Sequence, residues 1–77
     1  METIRRIGNA IRKRRSELNL SQEKLAERSN LHRTYISDIE RGNRNLTLLS
    51  LSKILSALEI SYRTFFTEYF DDKGESM

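Results

Sequence analysis

Apolar residues recur along this chain at helical intervals. Ile4, Ile7, Ile11 and Leu18 fall on one stripe, with Arg14 or Arg15 filling the gap before Leu18. That spacing predicts a helix from about Thr3 to Leu18, with Arg12, Lys13 and Arg14 assigned to its outer face. Beyond it one device recurs four times: an apolar residue, a capping residue, then another apolar residue five positions after the first. Leu20-Ser21…Leu25, Leu46-Thr47…Leu51 and Ile60-Ser61…Phe65 fit it; Leu31-His32…Ile36 fits with His32 where Ser or Thr is usual. The capping side chain takes up a free amide of the first helical turn, and the apolar pair staples the entry of the chain. Four further helices are therefore predicted, over about Gln22 to Ser29, Arg33 to Arg41, Leu48 to Leu58 and Tyr62 to Phe70.

Composition agrees with an all-α chain. Proline is absent and the only glycines are at 8, 42 and 74, so helix breakers and hairpin turns are scarce. The 77 residues make one domain, set at residues 1–70 with a polar tail "DDKGESM" over 71–77. With no cysteine and one histidine, His32, neither a disulfide nor a structural zinc site is expected. No Gly-rich phosphate loop, metal cluster or nucleophile–base set occurs, so no cofactor, metal ligand or catalytic residue is assigned and an enzyme is not expected. No apolar run nears the roughly 18 residues that cross a membrane. A soluble cytoplasmic protein without membrane contact is expected.

The second and third predicted helices are joined only by "SNLH". So short a link makes two short helices cross steeply. Asn30 sits where the chain must pass through a left-handed conformation, which Asn tolerates better than most residues. Ala26, four residues earlier, is small enough for the third helix to pack close. Leu25, Leu31, Ile36 and Ile39 then share one core, and Gly42 closes the third helix as a left-handed cap. Together these features describe a helix-turn-helix. Charge adds direction. Residues 1–45 hold 11 Lys/Arg against 6 Asp/Glu, or +5; residues 46–77 hold 3 against 5, or −2. A basic first half suits a polyanionic partner.

The run "LSQEKLAERSNLHRTYISDIERGNRNLTLLSLSKIL" resembles the lambda-repressor-like family of helix-turn-helix proteins, over about residues 5 to 66. Within that family "RTYISDIERGNRNLT" looks most like the controller proteins of restriction–modification systems. The resemblance implies a compact five-helix DNA-binding fold. It also implies a homodimer on a palindromic operator in double-stranded DNA, regulating its own gene and the endonuclease gene. RNA polymerase stays open as a further partner.

A recognition helix meets base edges with its N-terminal residues. Arg33, Thr34 and Ser37 are assigned to base readout, Arg33 because a guanidinium can bond both O6 and N7 of guanine. His32, as cap, lies near the phosphates. Tyr35 either reaches the backbone or is a half-buried ring between the third and fourth helices. Asp38 accepts from cytosine, repels wrong registers or, ranked first, orients Arg33 or Arg41. The resemblance gives Gln22 a phosphate contact and a bracing role, and makes Arg44 and Asn45 backbone or minor-groove contacts, with Asn43 beside them. It also pairs Arg15 with Glu40 as a partly buried structural ion pair.

The last predicted helix carries Tyr62, Phe65, Phe66, Tyr69 and Phe70, five of six aromatics in the chain. Adjacent Phe65 and Phe66 cannot share one narrow stripe, so part of the set should be buried in a twofold interface. The candidates are Leu49, Ile54, Leu58, Ile60, Tyr62, Phe65 and Phe66. The expected function is a dimeric, sequence-specific transcriptional regulator, a restriction–modification controller. Two rivals are a phage- or antitoxin-type repressor, and a helix-turn-helix used only for protein contacts.

Overall fold

The computed structural model describes residues 2–70, so the tail over 71–77 lies outside the described residues. Five helices follow one another: α1 (Glu2–Glu17), α2 (Gln22–Ser29), α3 (Arg33–Glu40), α4 (Leu48–Ala57) and α5 (Tyr62–Thr64), the last running on as a π turn (Phe65–Tyr69). Among the described residues there is no strand. None of these helices is long and apolar enough to cross a membrane.

The starts of α2, α3, α4 and α5 carry the caps that the staple pattern requires. Ser21, Thr47 and Ser61 accept from the amides of Lys24, Ser50 and Thr64 at 2.9, 3.0 and 3.1 Å. His32 Nδ1 accepts from the Thr34 amide at 3.4 Å, a long bond and the weakest of the four caps. The helix ends follow a second shared device. Asn19, Asn30, Gly42 and Glu59 all have positive φ. After each, the next residue's amide reaches back five residues: Leu20 to Arg15, Leu31 to Ala26, Asn43 to Asp38 and Ile60 to Leu55, at 2.9–3.1 Å. This bond satisfies a carbonyl left open at the helix end. Leu20, Leu31 and Ile60 thus close one helix and, as staple residues, open the next. Tight corners follow directly from the sequence.

The core gathers Ala10, Ile11, Leu25, Ala26, Ile36, Ile39, Leu51, Ile54, Leu55, Leu58 and Phe65. Every helix supplies at least one of them or packs against them, so α2 and α3 are held as a rigid pair. α1 passes close to α3 at Gly8, where an added Cβ would lie 2.1 Å from the Ile39 carbonyl oxygen. Only glycine fits there. Gly42, at φ +74°, combines the left-handed cap with close passage of the Arg5 Cα.

Two expectations are corrected. The fifth helix is not α-helical to Phe70: it widens after Thr64, and the Phe70 amide bonds the Phe65 carbonyl at 3.0 Å. This widening lets Phe65 enter the core while Tyr69 turns back onto α1. Arg14 does not face outward. Its guanidinium donates to the carbonyls of Leu58 and Glu59 at 3.0 and 3.2 Å, and to the Tyr69 hydroxyl at 3.3 Å. Those carbonyls lie where α4 ends, so an arginine fills the need for a donor there. Tyr69 in turn donates to the Glu17 carboxylate. That bond is the main reason the phenol is held above its ordinary value.

Candidate nucleic-acid interface

α3 is amphipathic, and its two sides do different work. Ile36 and Ile39 are buried, whereas His32, Arg33 and Thr34 at its N-terminal edge are exposed. Arg33 forms no ion pair or hydrogen bond among the described residues, so its guanidinium is available. Ser37 lies one turn further, partly covered. Beyond Gly42 the chain stays at the surface, and Asn43, Arg44 and Asn45 are all exposed. The assigned reading positions and the assigned anchors therefore lie at the two ends of one helix.

Tyr35 takes the half-buried reading. Its ring is half-buried against the core, and the Arg44 guanidinium lies over it at 5.1 Å from the centroid. Asp38 orients arginines, but not Arg33. Its Oδ1 accepts from Arg41 at 2.8 Å, and its Oδ2 accepts from Arg44 at 3.5 Å. Arg41 sits one turn along the same helix and Arg44 follows the Gly42 bend, so both come within reach, while Arg33 projects from the opposite end.

The scaffold behind this edge is polar and closed. Arg15 Nε and Nη2 bond the two Glu40 oxygens at 2.6 and 2.9 Å, and Nη1 bonds the Leu20 carbonyl at 2.7 Å. Such a bidentate pair fixes orientation as well as distance. Gln22 donates to Glu40 Oε1 at 3.0 Å. Its brace is thus directed inward, tying the start of α2 to the end of α3 through a buried carboxylate.

The apolar candidates divide. Ile54, Leu58 and Phe65 are fully covered within one chain and have no surface left for a partner. They belong to the core, because α4 ends against α1 and the π turn folds Phe65 beneath it. Ile60 is half-buried against that core as a staple residue. Leu49, Tyr62 and Phe66 remain 67%, 47% and 40% exposed, and Leu48, which the pattern had assigned only to the helix, is 80% exposed. Phe66 stacks edge-on between Phe65 and Phe70, at centroid distances of 5.0 and 5.6 Å. Leu48 stands in the first turn of α4, one residue after the Thr47 cap, and the staple pattern counts only Leu46 and Leu51 as inward there, which was the available signal for Leu48. Among the described residues no group of His, Asp or Glu side chains is gathered as a metal would need.

A family model described as helix-turn-helix matches residues 11–65. The chain belongs to this lambda-repressor-like helix-turn-helix family. Its similarities within the family include restriction–modification control proteins. It is 56% identical over 54 residues to control protein C.BamHI of Bacillus amyloliquefaciens, covering 69% of this chain and 67% of that protein. It is 44% identical over 64 residues to control protein C.MunI of Mycoplasma sp, covering 82% and 86%. Among solved structures it resembles the tetramer of the controller protein C.Esp1396I in complex with its natural 35 base-pair operator. The TM-score is 0.80 at 48% identity, over 83% of this chain and 84% of that one.

Proposed function

We propose that this protein is the controller of a restriction–modification system: a cytoplasmic, dimeric transcriptional regulator of its own and the endonuclease gene. The observation that carries it is the likeness, along most of the chain, to a controller protein solved on its operator. Binding and release of DNA are the whole of its chemistry in this reading; no catalysis is involved. Arg33 reads guanine, with Thr34 and Ser37 beside it. Arg44 and Asn45, with Asn43 and His32, bear on the phosphates. Leu49, Tyr62 and Phe66, joined by Leu48, cover one another across a twofold axis. Two recognition helices then meet half-sites about one helical turn apart.

Nuclease footprinting of DNA upstream of its own gene tests this. A symmetric protected site is expected there, next to genes for an endonuclease and a methyltransferase. Absence of protection, or neighbouring genes for a toxin or a phage, overturns the controller assignment.

A further inference from the structure

Asp38 and Arg44 form a contact that DNA binding has to address. Arg44 bears the exposed guanidinium assigned to phosphate, yet in the free chain it lies over Tyr35 with Nη2 3.5 Å from Asp38 Oδ2. The other oxygen of the same carboxylate is held by Arg41 at 2.8 Å. The two arms differ. A charge-assisted bond at 2.8 Å has the length of a strong one, and one at 3.5 Å is at the limit of contact. Arg41 therefore keeps Asp38 neutralised, and Arg44 is the arm that can leave at low cost.

We infer that Asp38 is a positioning residue that stores Arg44 on the ring of Tyr35 and competes with the DNA backbone for it. A phosphate is a second anion offered to the same guanidinium. On binding, Arg44 exchanges one anion for the other, and Asp38 stays paired with Arg41. The exchange lowers the net gain from this contact. This inference rests on the DNA-binding assignment and adds to it a brake on affinity built into the recognition helix.

The test is a double-mutant cycle on a random-sequence DNA duplex, titrated over a range of salt concentrations. The four proteins are wild type, Asp38→Asn, Arg44→Ala and the double variant. Asp38→Asn keeps the side-chain shape on a partly exposed helix position and removes the competing charge. It is expected to bind about two- to fivefold tighter, the range of a surface ion pair, with the salt slope nearly unchanged, since Arg44 neutralises one phosphate with or without Asp38. The tightening should vanish in the Arg44→Ala background, and Asp38→Glu should behave as wild type. Equal tightening with and without Arg44 would mean that Asp38 merely repels phosphate. Weaker or unchanged binding by Asp38→Asn would mean that Asp38 aims Arg44 at DNA or leaves it alone. Either result overturns the storage role while leaving DNA binding intact. If the wild type bound no duplex at low salt, the DNA-binding assignment itself would fall.

Discussion

Glu40 and Asp38 stand two residues apart on α3 and are held in opposite ways. The Glu40 side chain is 2% exposed and receives one arginine with both oxygens, plus Gln22. The Asp38 side chain is 21% exposed and divides its oxygens between two arginines that are themselves mostly in solvent. The same chemical pairing thus gives a fixed joint on one side of the helix and a releasable one on the other. Burial decides which. Removing one partner from a buried pair strands a charge, whereas an exposed pair breaks with water ready to replace it. Phe65 and Phe66 repeat the contrast with apolar groups: adjacent rings, one wholly in the core, the other 40% exposed.

The largest effect should come from the fixed joint. Glu40→Ala leaves Arg15 uncompensated and Gln22 without its acceptor, and should cost about 3–5 kcal/mol in a urea titration. In a domain of this size that approaches the whole stability, on the order of 5 kcal/mol. A small shift would place Glu40 with Asp38 instead of apart from it. Next come the two rings. Phe65→Ala should unfold the chain by about 3–5 kcal/mol. Phe66→Ala should leave the monomer folded and cost about 2 kcal/mol or more of dimer affinity, read by sedimentation. Equal loss of fold by both variants would erase the distinction between core and interface.

Within the DNA-facing edge the contrast is between reading and holding. Arg33→Ala should lose about 1–3 kcal/mol of discrimination at one base position per half-site. Arg44→Ala should weaken binding to all sequences alike and reduce the salt slope by about one unit. Identical behaviour of the two would merge those roles. The smallest effect concerns Tyr69. Its raised pKa, chiefly from donation to Glu17, means that its contribution is complete below the ordinary value of 10.0 and is lost as pH rises through the folded-state value. Thermal melts above that pH should fall less steeply for Tyr69→Phe than for wild type.

Much of this was legible in residue order, because caps and staples are local. Ser21, Asn30, Gly42, Thr47 and Ser61 each act on amides and carbonyls within five residues, and all occupy the expected places. The exposed edge of α3 follows from the same periodicity. What could not be read depended on partners far along the chain. Arg14 resembles its solvated neighbours Arg12 and Lys13 until α4 ends against it, 44 residues later. Ile54 and Leu58 look as available as Leu49 until the π turn closes over them. The π turn itself has no local marker, since it reconciles one ring with the core and another with α1. Asp38's choice of Arg44 depends on the bend at Gly42, which brings the chain back alongside the helix.

Gly8 bears on how such a protein can diversify. If Arg33, Thr34 and Ser37 read bases as proposed, new operator sequences can be met by exchanging these side chains, none of which belongs to the buried core. Gly8 offers no such freedom, since any side chain there would collide with the Ile39 carbonyl of α3. In a library randomised at every position and selected for regulation on altered operators, variants should accumulate along the reading edge. Position 8 should return as glycine in every survivor, because no version of the edge leaves room for a side chain there.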